Sequence, residues 1–256
     1  MYYKGLKLHS TNIDSYYQEA KKLYTQKVFD YIELFVVPNS IQNIKIWKQL
    51  NIPYIIHAPY FSYGFNLADK ENYSQNLKTY LEVKEFADEL NAKYVIFHGG
   101  VEGSYKETIR QLNLFSENRA LIENKPLVAY EYLGRDYKCI GYSPEEIKKI
   151  KNETGCGFVL DFGHAICSAN SQKKDIYEYC NQFNQLKPEM YHLTDSKDIQ
   201  SPYDDHSHLG KGTMDLSIVS NMISDNSIIT VETKKDYSDN LNDFKEDIAI
   251  LKKYLK

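Results

Sequence analysis

Hydrophobic positions in this chain recur in short blocks. Apolar, β-prone runs fall at residues 5–9, 31–37, 54–59, 94–99, 127–133, 157–164, 190–194 and 228–233. Several are apolar on both faces, as strands buried on both sides of a parallel sheet are. Between them the spacing changes to that of helices. Residues 71–91 gather Leu77, Tyr80, Leu81, Phe86, Ala87 and Leu90 broadly on one face, and the last segment spaces Leu241, Phe244, Ile248, Leu251 and Leu255 three or four apart. Ser143-Pro144-Glu145-Glu146 has the residues of a helix start: an N-capping serine, proline at the first helical position and glutamate at the third.

Strand and helix alternate eight times and end on a helix, which predicts parallel strands closing into a (β/α)₈ TIM barrel. A doubly wound open sheet is the competing arrangement, but no Gly-x-Gly-x-x-Gly follows the first run. No linker or shift in composition divides the chain, and 256 residues suit one barrel. The expectation is a single barrel domain spanning 1–256.

The predicted strand ends carry most of the candidate chemistry. Run three reads Ile-Ile-His57-Ala-Pro-Tyr60, run four Ile-Phe-His98-Gly-Gly, and run five Ala-Tyr-Glu131-Tyr-Leu-Gly. Run six gives Val-Leu-Asp161-Phe-Gly-His164, run seven Tyr-His192-Leu-Thr-Asp195, and run eight Thr-Val-Glu232-Thr-Lys. The loop after run seven adds Asp204-Asp205-His206-Ser-His208-Leu-Gly-Lys-Gly. In a barrel all these ends share the C-terminal face, where active sites lie. One such residue is more often a hydrogen-bonded structural group. So many buried together without a metal would leave several charges unpaired, which is costly. Imidazole with carboxylate suits zinc, manganese or iron(II), and nine ligands exceed what one ion uses.

Composition narrows the picture only slightly. Net charge is −4 and arginines are limited to Arg110, Arg119 and Arg135, so no general attraction for nucleic acid is built in. Cys139, Cys156, Cys167 and Cys180 lack Cys-x-x-Cys spacing and read as reduced thiols. With no apolar run long enough to span a membrane and no secretory h-region in MYYKGLKLHS, a cytoplasmic protein is expected, with no membrane or protein partner implied.

Strand by strand, the chain resembles endonuclease IV (AP endonuclease family 2) within the xylose-isomerase-like barrel superfamily. The matching phrases are His-x-x-Tyr after run three, Phe-His-x-Gly after run four and Asp-x-x-His-Ala after run six. His-Leu-x-Asp-x-Lys, Asp-x-His-x-x-Leu-Gly-x-Gly and Glu-Thr complete them. The resemblance implies a trinuclear zinc site. One ion would take His57, His98 and Glu131; a second Glu131, Asp161, His192 and Glu232; a third His164, Asp204 and His206. It also places Tyr60 and Phe61 where the family probes DNA, with His9 beside the ions. His208, Lys211 and Lys197 are further candidate substrate contacts. The chain departs from the family in several places: Tyr132 follows Glu131 where asparagine is usual, Lys211 replaces an acid, His208 is an extra histidine, Glu33 is unusual, and the loop after run two has no arginine.

The implied activity is metal-assisted phosphodiester hydrolysis at abasic sites in double-stranded DNA, with two or three divalent ions, zinc first and manganese as the alternative. Glu131 and Glu232 are the candidate catalytic carboxylates. The competing reading is a sugar or sugar-phosphate isomerase or epimerase, in which one ion polarises the substrate and Glu131 and Glu232 exchange protons across a carbon. A non-catalytic ligand-binding barrel is a third reading, and an intact ligand set argues against it.

Overall fold

Alternate side chains of a β-strand face opposite ways, and in a closed sheet one of those directions is the barrel interior. The computed structural model, which describes residues 2–130 and 135–255, repeats this geometry around a full circle. Its elements are β1 (Tyr3–His9), α1 (Ser15–Thr25), β2 (Tyr31–Phe35), α2 (Ile44–Lys48), β3 (Tyr54–His57), α3 (Tyr73–Glu89) and β4 (Val95–His98). Then come α4 (Tyr105–Phe115), β5 (Ala120–Glu123), β6 (Val128–Tyr130), β7 (Asp136–Lys138), α5 (Pro144–Thr154) and β8 (Gly157–Asp161). The chain continues through α6 (Phe162–Ser171), α7 (Ile176–Asn184), β9 (Met190–Leu193), α8 (Leu216–Met222), β10 (Ile228–Val231) and α9 (Asn242–Tyr254). The barrel closes in the order β1, β10, β9, β8, β5, β4, β3, β2 with every neighbour parallel, while β6 and β7 form a separate antiparallel hairpin.

Seven strands lie where the apolar runs predicted them, most ending a residue or more earlier. The sixth run shortens most, because Asp161 Oδ1 accepts the His164 N–H and caps α6 directly after the strand. The fifth strand differs. It is Ala120–Glu123, and residues 128–130 of the predicted run form one arm of the hairpin instead. A half-exposed hairpin arm alternates just as a barrel strand does, so the period alone could not separate them. Burial does: Leu121 and Ile122 are enclosed, paired with β4 on one side and β8 on the other. Glu131 and Tyr132 lie outside the described residues.

The helix readings hold with one exception. Ser143 Oγ accepts from Glu146 N at 3.2 Å with Pro144 opening α5. Tyr80, Phe86 and Ala87 of α3 are buried, but Leu81 faces outward at 55 % exposure. In α9, Phe244, Ile248 and Leu251 are buried against the barrel. Among the described residues no helix is long and apolar enough to cross a membrane, and all four cysteines are unpaired.

The barrel interior is layered. Tyr31, Ile55, Ile96, Leu121, Val159, Met190 and Ile228 form an apolar cluster distinct from the core under the helices. Two residues further along each strand, the same inward direction brings Glu33, His57, His98, Glu123, Asp161, His192 and Thr230 into one layer, joined by Lys7 from β1. Each side chain of this polar layer therefore sits one pleat above an apolar floor, with the open mouth of the barrel on its other side.

Candidate metal centre

Glu123 is the hub of the polar layer. Its Oε2 lies 3.1 Å from His57 Nε2, 3.2 Å from His98 Nε2 and 3.5 Å from His192 Nδ1, and its Oε1 lies 3.0 Å from His164 Nδ1. The next residue holds the neighbouring strand in place: Asn124 Nδ2 donates to Asp161 O, and Asn124 Oδ1 accepts from Asp161 N.

The histidine rings are oriented by main-chain carbonyls, which can only accept. His57 Nδ1 donates to Ala58 O at 2.8 Å, His164 Nδ1 to Asn124 O at 2.9 Å, and His206 Nδ1 to Glu232 O at 2.8 Å. In the neutral ring this leaves Nε2 open to a metal or a second proton, as in histidines that ligate metals. Nε2 of His164 and of His206 converge on Asp204 Oδ2, at 3.4 and 3.1 Å. His206 adopts the left-handed region at φ 49°, a strained geometry that recurs at functional sites. His192 is turned the other way. Its Nε2 donates to Glu33 Oε2 at 2.9 Å, so Nδ1 faces Glu232 Oε2 at 2.9 Å and Asp161 Oδ2 at 3.8 Å.

These contacts leave a deficit of positive charge. Glu123 Oε1, Asp161 Oδ2, His192 Nδ1 and Asp204 Oδ2 are buried without a hydrogen-bond partner. Such a cluster is costly unless cations enter it. Burial opposes ionisation of Glu123, yet His98, His192 and Lys125 hold its carboxyl well below the ordinary range. Burial likewise opposes ionisation of Glu232, but Lys7 and His192 bring it far down. For Glu33 the pull of His192 and Lys7 overcomes burial and lowers it to about 2. Asp161 is raised by burial, His164 drawing it back and Asp204, Glu123 and Glu232 adding to the rise. Against the effect of burial, Asp161 and its neighbours lift His164 to about 10, while burial and Lys125 keep His98 well below its ordinary value. Glu33, Glu123 and Glu232 are thus held ionised, and either a proton or a metal at the facing nitrogens can answer their charge.

Three donor groups have ligand atoms close enough to hold an ion: His57, His98 and Glu123; Glu123, Asp161 and His192; and Glu33, His192 and Glu232. Eight of the nine ligands named from sequence therefore lie in this layer or the loop above it, at the contacts just given. The strand-five carboxylate is Glu123, eight residues before Glu131, and it is followed by the asparagine expected there. Asp195, on the same motif as His192, serves a different purpose. Its carboxylate accepts from the main-chain N–H groups of Ser196, Gly210, Gly212 and Met214, which folds the Leu-Gly-Lys-Gly loop. A Cβ on Gly212 would lie 2.2 Å from Ser196 O, so the close approach demands glycine.

A cleft of about 1200 Å³ opens above the layer, with His9, Tyr60, Phe61, Lys125 and Lys235 among its lining. Tyr60 packs against Phe35 and His98, and Phe61 against Tyr137 of the hairpin. Among the described residues no arginine lines it. His208 and Lys211 do not line it either; they border a separate cavity of about 280 Å³, where His208 meets Asp247 at 2.8 Å and Asp236 at 3.2 Å. Lys197 is exposed, its main-chain N–H donating to Asp205. Sequence reading assigned no part to Lys7, Glu123, Asn124 or Lys125. The Glu-Asn pair after a short apolar run was the available signal for the second and third.

Residues 29–254 match the family described as the xylose isomerase-like TIM barrel. A probable endonuclease 4 from Aquifex aeolicus (strain VF5) is 26% identical over 221 residues, 77% of this chain and 74% of that protein. The crystal structure of a D-tagatose 3-epimerase-like protein superposes with TM-score 0.72 at 19% identity, covering 97% of this chain and 96% of that one. Endonuclease IV from Thermus thermophilus superposes with TM-score 0.67 at 17% identity, covering 98% of this chain and 99% of that one. By its sequence match, its closed barrel and the ligand layer at the strand ends, this chain belongs to the xylose isomerase-like TIM barrel family.

Proposed function

We propose that this protein is a metal-dependent phosphodiester hydrolase that cuts double-stranded DNA at abasic sites, with two or three zinc ions, or manganese in their place. One observation carries the reading. Beyond the core of Glu123, Asp161, His192 and Glu232, two further donor groups are built: His57 with His98 on Glu123 Oε2, and His164 with His206 on Asp204 Oδ2. A one-ion centre has no use for them. Bound ions would lower the pKa of water toward neutrality and offset the charge of a phosphodiester.

The chain's own groups supply the rest. Glu123, between two donor groups, holds them in register and is placed to accept a proton from the attacking water. Tyr60 and Phe61 offer aromatic faces to a distorted duplex, and Lys125 and Lys235 offer phosphate contacts in the cleft. The likeness to a probable endonuclease 4 supports the substrate. Residues 1–256 are read as one domain, and unpaired cysteines fit a cytoplasmic setting.

A second reading, a sugar or sugar-phosphate epimerase, is favoured by the pair Glu123 and Glu232. They face the same His192 Nδ1 at 3.5 and 2.9 Å, as two carboxylates exchanging protons about one ion would. A nicking assay with zinc-loaded protein separates the two. The proposal expects incision of a duplex carrying one abasic site, lost on chelation and restored by zinc. No incision at micromolar enzyme and low salt, with epimerisation of a free ketose instead, would replace it with the second reading.

A further inference from the structure

Among the candidate ligands His57, His164, His192 and His206, His192 stands apart in how its ring is held. His57, His164 and His206 each tie Nδ1 to a neutral main-chain carbonyl and present Nε2. His192 presents Nδ1 and ties Nε2 to a buried carboxylate, Glu33, which reaches it from across the barrel and is fully enclosed. Glu33 is itself fixed. Its Oε2 also accepts from Thr230 Oγ1 at 2.6 Å, and Tyr31 OH lies 2.7 Å from that hydroxyl oxygen. Its other oxygen, Oε1, lies 3.1 Å from Lys7 Nζ, and Lys7 Nζ lies 2.7 Å from Glu232 Oε2. Lys7 is nearly enclosed, with 11% of its side chain exposed.

Two features of this arrangement call for explanation. A carboxylate partner makes an imidazole a stronger ligand than a carbonyl does, and fixes which nitrogen carries the proton. In addition, Glu33, His192 and Glu232 form a three-donor group of their own, yet the ammonium of Lys7 already stands between the two carboxylates. A covalently attached cation there balances charge without occupying His192 Nδ1.

We propose that Lys7 and Glu33 are positioning residues of the metal centre: Glu33 holds His192 with Nδ1 toward the ions, and the Lys7 ammonium fills the Glu33–Glu232 edge that would otherwise take an additional ion. This rests on the metal-centre reading and extends it to two residues outside the nine ligands. Glu33 is thus a determinant of metal affinity at the Glu123–Asp161–His192 group, and Lys7 sets how many ions the layer accepts.

The test uses full-length protein stripped of metal and reloaded with zinc or cobalt(II). Zinc affinity is read by chelator competition, ion count by elemental analysis, and ligand geometry by the visible spectrum of the cobalt form. Glu33→Ala should weaken the tightest zinc site by about 10- to 100-fold and shift the cobalt spectrum, the range usual for the partner of a ligating histidine. Glu33→Gln, which keeps an acceptor for His192, should recover part of that loss. Lys7→Met should bind one ion more than the parent. If Lys7→Met does not fold, the double variant Lys7→Met, Glu33→Gln removes both charges at once, and should keep the parent's ion count with the lower affinity. Variants matching the parent in affinity, ion count and cobalt spectrum would overturn this inference alone. A parent protein that takes up no divalent ion would overturn the metal-centre reading, and this inference with it.

Discussion

Glu123 Oε2 stands 3.1 Å from His57 Nε2, joining two strands that are not adjacent in the barrel. The same oxygen faces His98 and His192, so one carboxylate ties together donors of two groups. Glu123→Gln replaces a charge at this junction with an amide. Zinc affinity should fall at least about 100-fold, since even partners of ligands account for about 10- to 100-fold, and hydrolysis should be abolished. Elemental analysis of the variant checks the assignment.

Asp204 and His206 separate a multi-ion centre from a one-ion centre. His206→Ala removes one of the two imidazoles on Asp204 Oδ2. It should lower the ion count by one and reduce the rate of phosphodiester cleavage by at least about 100-fold, the size of a typical lost electrostatic stabiliser. An epimerase working through one ion would keep most of its rate.

The positions legible in the sequence were those where a strong apolar run ends on a metal-capable residue. Asp161, His192 and Glu232 are of this kind. Glu123 was missed because Ala120-Leu121-Ile122 is a short run beside a longer alternating one, and two periodic segments compete when only one can enter the barrel. Asp195 was legible as an acid on the right strand, but its use by four main-chain N–H groups depends on how the loop returns at Gly210 and Gly212. Lys7 and Glu33 act through register. That β1 pairs Lys7 with Glu33, and that both face the interior, follows only once the sheet has closed.

Asp195→Ala would remove the buried carboxylate on which the loop closes and leave the buried N–H groups of Ser196 and Met214 without an acceptor. At about 1–3 kcal/mol for each unsatisfied buried donor, the loss should lower Tm by roughly 4 °C or more. A calorimetric scan that matches the parent would contradict this account of the loop.

His208 makes stability depend on pH. Burial pulls its pKa down, but the hydrogen bond to Asp247 and the charges of Asp247, Asp236 and Asp243 raise it above the ordinary value. The stabilisation from a raised folded pKa is complete below the unfolded pKa of about 6.5 and is lost as pH rises through the folded value. His208→Gln should therefore melt a few degrees lower than the parent at about pH 6, by about 2–4 °C for each kcal/mol. The gap should narrow as the solution becomes alkaline. A gap independent of pH would show that the contact acts through packing alone.

Tyr60 and Phe61 wall the cleft, packed on neighbouring rings. Changing both to Ala should impair abasic-site cleavage by about 10-fold or more, as expected when base stacking worth about 1–3 kcal/mol is removed. Zinc content should not change. Binding of abasic duplex by the parent should weaken steeply with salt if Lys125 and Lys235 meet its phosphates.

A polynuclear centre at the strand ends is tested by the number of divalent ions per chain. Protein purified without chelator, and again after stripping and reloading with zinc, should contain two or three. A count of one or fewer after reloading would contradict it.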